Sequence, residues 1–181
     1  MPFANRVTKQ KKYKEAEPLA LRGLAICEQR FGEAHPNTAL SLDDLALLYA
    51  SQGRYREAEP LYLRALSILE RQFGPEHPDI ESILRHLAQL YAGQGKYVEA
   101  EGLYQRALAI CEKQLGLEHP DVALILHHLA DLYASQGKDV EAENLYQRAL
   151  AIRMQQLGSE HPDTLLTQET YAFLLRQRGS T

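Results

Sequence analysis

A 42-residue period runs through almost all of this 181-residue chain, and it restricts the fold more than any single motif does. His-Pro recurs at His35-Pro36, His77-Pro78, His119-Pro120 and His161-Pro162, and Glu-Ala-Glu recurs at 15–17, 57–59, 99–101 and 141–143. Residues 79–120 and 121–162 agree at 30 of 42 positions when laid over one another. A fixed period of this size belongs to an array of stacked units, each covering the apolar face of its neighbour.

Each unit reads as two helices. Between 120 and 136, Val122, Ile125, Leu126, Leu129, Leu132 and Tyr133 fall at three- and four-residue spacing, the mark of an amphipathic helix. Pro120 suits its first turn, where no backbone donor is needed, and Asp121 faces the positive end of its dipole. Gly137 provides the stop. The second helix spans about 138–157, with Ala142, Leu145, Tyr146, Ala149, Leu150 and Ile152 on its apolar side and Gly158 closing it. No strand-type alternation occurs, so the expected fold is all-α. Ala58, Ala100 and Ala142, with Ala65, Ala107 and Ala149, mark close approaches between helices, and Tyr62, Tyr104, Tyr146, Leu45, Leu87 and Leu129 fill the space between them.

Bulk composition excludes several classes. Hydrophobic residues at 45% and charged residues at 24% fit a folded chain. A net charge of -4 offers no electrostatic reason to bind nucleic acid or an anionic membrane. Apolar runs are broken by charges, so no transmembrane span is expected, and residues 1–12 lack the apolar core of a signal peptide. A cytoplasmic location follows as the expectation. Cys27 and Cys111 share a column two repeats apart, with Leu69 and Arg153 as its other occupants. Four helix steps of roughly 8–10 Å separate such positions, too far for a disulfide, so both cysteines read as apolar packing.

The run Leu-Ala-x-Leu-Tyr, then Gln-Gly-(Lys/Arg)-Tyr-x-Glu-Ala-Glu-x-Leu-Tyr-x-Arg-Ala-Leu-x-Ile, then Gly-x-Glu-His-Pro resembles a tetratricopeptide repeat over about residues 7–179. The 42-residue spacing, in place of the common 34, is similar to the long subtype of kinesin light chains. The resemblance implies a right-handed superhelical solenoid of antiparallel helix pairs that is not an enzyme and carries no cofactor or metal. On this register, 1–36 is a partial repeat, mainly its second helix at about 13–31. Full repeats cover 37–78, 79–120 and 121–162, and 163–181 is a half repeat with a helix at about 163–178. A fragment of a longer array is favoured over a short natural one, and a bare face on the leading helix would drive self-association. Local departures are Gly23 for the packing alanine, Lys11 for the turn glycine, Pro18 and Pro60 within second helices, and Asp139 for the turn tyrosine, which should loosen its repeat.

No unique catalytic cluster stands outside the repeated columns. His35, His77, His119 and His161 belong to the His-Pro turn and read as caps. His86, His128 and Asp44 share a column, but neighbouring first helices are too far apart for ready zinc coordination. The resemblance implies that first helices line an inner groove for a protein or peptide ligand. Carried over by column, the groove holds Leu40, Asp43, Asp44, Leu47 and Ser51; then Ser82, Arg85, His86, Gln89 and Gly93; then Leu124, His127, His128, Asp131 and Ser135; and finally Glu169, Thr170, Phe173 and Gln177. These vary while the frame stays fixed, as a binding surface should. Kinesin light chains carry asparagine pairs here, whereas this chain has Asp43-Asp44, Arg85-His86, His127-His128 and Glu169-Thr170, so their cargo preference does not transfer. Mixed charge favours a ligand of alternating charge. Acidification through about pH 6.5 should charge His86, His127 and His128 and change affinity. The alternative is a self-assembly or regulatory array within a larger multidomain signalling protein.

Overall fold

The computed structural model describes residues 2–178, with side chains from residue 12 onward. Eight α-helices and no strand occur among the described residues: α1 (Pro2–Phe31), α2 (Pro36–Ser51), α3 (Tyr55–Phe73), α4 (Ile80–Gly93), α5 (Tyr97–Leu115), α6 (Pro120–Ser135), α7 (Asp139–Leu157) and α8 (Pro162–Arg178). None of them is long and apolar enough to cross a membrane. The chain divides into two compact units, Met1–Leu90 and Tyr91–Thr181.

Turn chemistry explains the helix lengths. Within a pair, Gly137 adopts φ +72°, which a side chain would strain, and the chain reverses through Gln136 N–H and Lys138 N–H to the Tyr133 carbonyl at 3.0 and 2.9 Å. The Lys138 ammonium then lies 5.0 Å over the Tyr133 ring. The turn before α3 repeats this geometry, with Gln52 and Arg54 bonded to Tyr49 at 3.0 Å. With Asp139 in place of the turn tyrosine, this turn keeps the same backbone bonds as the one before α3. The turn is closed by backbone bonds that do not involve the residue at this position.

Between pairs, Gly158 (φ +89°) ends α7, and a His-Pro turn starts the next helix. The histidine Nδ1 accepts the backbone N–H two residues on: Asn37 at 3.1 Å, Asp79 at 3.3 Å, Asp121 at 3.2 Å and Asp163 at 3.2 Å. An imidazole thus does the work usually given to Ser or Asp at a helix start. Phe31 and Phe73 stack on His35 and His77, with ring centroids 4.9 and 4.4 Å apart.

Helix α1 departs from expectation. It begins at Pro2, so no break separates a first from a second helix at residues 11–13. Lys11 stands where Gly53, Gly95 and Gly137 make the turn elsewhere, and without a glycine the helix continues. Pro18 and Pro60 are accommodated inside α1 and α3.

In the first unit, Ala58, Tyr62, Ala65 and Leu69 of α3 are fully enclosed, together with Leu42 and Ala46 of α2. In the second, Ala100, Ala107, Ala142 and Ala149 are likewise enclosed, with Tyr146 and Leu174 closing a cluster around Ala130 and Ala142. An ion pair of the same register recurs in each unit: Arg64 to Glu28 at 2.8 Å and Arg148 to Glu112 at 2.7 Å.

Candidate functional site

The first-helix positions divide by burial. In the first unit Leu40 and Leu47 remain 48% and 41% exposed, and Asp44 and Ser51 are also open to solvent. Asp43 is buried, accepting a hydrogen bond from the His86 ring at 2.9 Å. Although the residue is exposed, partial desolvation of its carboxyl raises the Asp44 pKa; the neighbouring Asp43 adds to this and His86 opposes it. Ser82, Arg85, His86 and Gln89 are half-buried, and Arg85 Nε donates to Glu81 one turn earlier at 3.0 Å. The His86 ring also packs on Tyr62, with centroids 6.0 Å apart.

In the second unit Leu124, His128 and Thr170 are half-buried, and Glu169 and Phe173 are exposed. His127 is only 3% exposed. Asp43 bonds to the His86 ring and His127 lies against Thr167, so neither presents a free surface to a ligand, although Glu169 of the same column is exposed. The expectation that His127 gains charge near pH 6.5 also fails. Burial pushes its pKa down to about 4, with Arg153 and His128 adding to the fall and Asp131 and Asp163 opposing it.

His127 belongs to a buried polar chain. Arg153, 2% exposed, donates to the Asp163 carbonyl at 2.9 Å and to the Thr167 hydroxyl. Thr167 Oγ1 lies 3.3 Å from His127 Nδ1, and His127 Nε2 lies 3.5 Å from Asp131. Asp131 also accepts the Tyr146 hydroxyl proton and has His128 at 3.9 Å. Burial works to raise the Asp131 carboxyl, but hydrogen bonds from His128 and Tyr146 and the nearby imidazoles bring it below the ordinary carboxylate value. Column reasoning misses Arg153 because it groups the residue with Cys27, Leu69 and Cys111 as apolar. The available signal is its partner. Fourteen residues later the column reads Ser41, Ile83, Ile125 and Thr167, so the cation coincides with a hydroxyl. In the first unit the same register brings Ser41 Oγ to 3.1 Å from Cys27 Sγ. Both cysteines are free thiols.

Above this chain, α6, α7 and α8 enclose a groove of about 520 Å³. Asp131, Ser135, Glu169, Thr170, Phe173 and Gln177, all selected from the sequence, line it. Asp139, Tyr146, Ala134 and Leu174 complete the walls, and these four were not anticipated. The size lies within the range of ligand sites, which commonly pair apolar walls with a few polar groups. Among the described residues, no three His, Cys, Asp or Glu side chains are placed to hold a metal ion.

The family model described as Tetratricopeptide repeat matches residues 7–71, 45–113, 79–155 and 121–181. A search of curated proteins found no match. Among solved structures, the kinesin light chain nearly identical TPR-like repeats from Podosopora anserina align with a TM-score of 0.77 and 30% identity, covering 98% of this chain and 84% of that one. BtubC (BKLC) from P. vanneervenii aligns at 0.82 and 27% identity, covering 95% and 68%. The type III secretion translocator chaperone SycD of Yersinia enterocolitica, at 0.60 and 16% identity over 80% and 88%, shares the fold. With four overlapping matches that together span residues 7–181, this protein belongs to the tetratricopeptide-repeat family.

Proposed function

We propose that the chain is a protein-interaction scaffold that holds a peptide or protein segment against its first helices. The observation that carries this reading is the set of apolar side chains left open on those helices: Leu40, Leu47 and Phe173, the last 59% exposed. Large apolar side chains left this exposed on the first helices of each unit suit a partner. The groove beside Phe173 supports the same reading, as do neighbours named for repeat and chaperone proteins.

A peptide-display selection against the chain tests it, run beside a Leu40→Ala/Phe173→Ala control. Enriched peptides that bind the parent and lose at least tenfold in affinity for the control support the groove. Enrichment that ignores the control moves the site elsewhere, and no enrichment removes the reading. A second reading, association of copies through α1, draws on Leu19 and Ile26, which stand 70% and 50% exposed. Light scattering across a concentration series separates the two, since a constant monomer mass dismisses association.

A further inference from the structure

We infer that the groove formed by α6, α7 and α8 selects a cationic segment, an arginine or lysine flanked by apolar residues; this rests on the scaffold reading above. Three carboxylates face the groove, Asp131 from α6, Asp139 from the start of α7 and Glu169 from α8, and no lysine or arginine lines it. Among the described residues the side chains of Asp139 and Glu169 make no hydrogen bond or ion pair. The nearby cations are engaged elsewhere. Lys138 lies over Tyr133 and 3.9 Å from Glu101, and Arg178 pairs with Glu143. The buried Arg153 spends its donors on Asp163 and Thr167.

The third carboxylate is held in place. Tyr146 donates to one oxygen of Asp131, while the other faces the imidazoles of His127 and His128 at 3.5 and 3.9 Å. Those contacts hold its pKa below the ordinary carboxylate value, so its charge is present in the folded chain. Phe173, Leu174 and Ala134 share the lining with the carboxylates. A long aliphatic stem ending in a guanidinium or ammonium matches this lining, because the stem can cover apolar side chains while the head meets a carboxylate. An acidic segment is disfavoured by the like charge of the three carboxylates.

The test uses the intact chain, labelled with ¹⁵N, and two synthetic heptapeptides. One carries Leu-Arg-Leu at its centre between Ser and Gly spacers, and its twin carries Leu-Glu-Leu. The expected result is that the arginine peptide shifts amide resonances in α6, α7 and α8 and the glutamate twin leaves them in place. The shifts should weaken at least tenfold in Asp139→Lys/Glu169→Lys, and should fade as salt rises from about 0.05 to about 0.5 M. Asp139 lies in the first turn of α7, where a lysine opposes the helix dipole, so a circular dichroism melt first checks that the variant is folded. Equal shifts from both peptides overturn the charge preference and leave the scaffold reading standing. Shifts confined to other helices, or none, overturn the assignment to this groove. The display selection decides the scaffold reading independently, since its control removes apolar contacts and leaves every carboxylate in place.

Discussion

Tyr62 and Tyr146 occupy one column of the repeat but meet different chemistry. Tyr146 donates to Asp131, whereas Leu47 stands at the same place opposite Tyr62, and the enclosed Tyr62 hydroxyl has no hydrogen-bond partner among the described residues. A buried hydroxyl without a partner costs free energy, and one bonded to a carboxylate stabilises by about 1.5–3 kcal/mol. Tyr62→Phe should therefore be neutral or stabilise by up to about 1 kcal/mol, while Tyr146→Phe should destabilise by about 1.5–3 kcal/mol in urea titration. Equal losses at both sites would show that packing of the ring edge dominates. The Arg153–Thr167 couple allows a sharper test. Removing one member of a buried charged network leaves the rest unpaired, so Arg153→Leu or Thr167→Ile alone should cost about 2–4 kcal/mol. The double variant copies Leu69 and Ile83 of the preceding repeats and should recover most of that loss. A double-mutant cycle reads the coupling, and additive losses would mean that the two residues act separately.

At the scale of helices, most of the architecture is legible in the sequence because each feature is written several times over. Glycine stops, His-Pro starts and the alanine–tyrosine alternation recur in nearly every repeat, and each appears in the structure at its column. Features written once are harder to read. The polar chain through Arg153 disappears into an apolar column, and Asp43 and His127 read as surface because column spacing does not say which way a side chain turns. The polar groove residues and Phe173 on α6 and α8 are recoverable since they vary on first helices, but Ala134 and Leu174 read as packing, and Asp139 and Tyr146 come from α7, which column reasoning treats as frame. Helix α1 shows the same limit from the other side: the loss of a glycine at position 11 is visible, but not that the helix runs on through it. One prediction belongs to this scale. Gly23 stands mid-helix where Ala65, Ala107 and Ala149 pack elsewhere, and a Cβ built there meets nothing within 4 Å. Gly23→Ala should stabilise the chain by about 1 kcal/mol, roughly 3 °C in Tm, by lowering the entropy of the unfolded state and favouring the helix. A lower Tm would mean that α1 bends at this glycine.

For the whole molecule, stability in a repeat array is close to a sum of local terms, so a perturbation should register first in the unit that contains it. Acid supplies such a perturbation. His127 has a pKa of about 4 in the folded chain against an ordinary value near 6.5, because its buried ring resists charge. Below pH 6.5 the unfolded chain takes up a proton that the folded chain refuses until about pH 4. The stability tied to a neutral His127 is complete above pH 6.5 and falls through that window. Between pH 7 and pH 5 the loss is about 2 kcal/mol, or roughly 20-fold in the equilibrium for opening. Asp44 works with the opposite sign in the first unit. Its carboxyl is raised by partial desolvation, so the folded chain binds that proton earlier than the unfolded one and gains stability as pH falls. Hydrogen exchange at pH 7 and pH 5, expressed as protection factors, should therefore fall in α6, α7 and α8 by up to roughly 20-fold and change much less in α2 and α3. In His127→Leu the level of protection drops at both pH values because Thr167 and Asp131 lose a neighbour, but the difference between the two pH values should flatten. A parallel loss in both units would show that they open together, and an unchanged slope in His127→Leu would assign the acid response to another group.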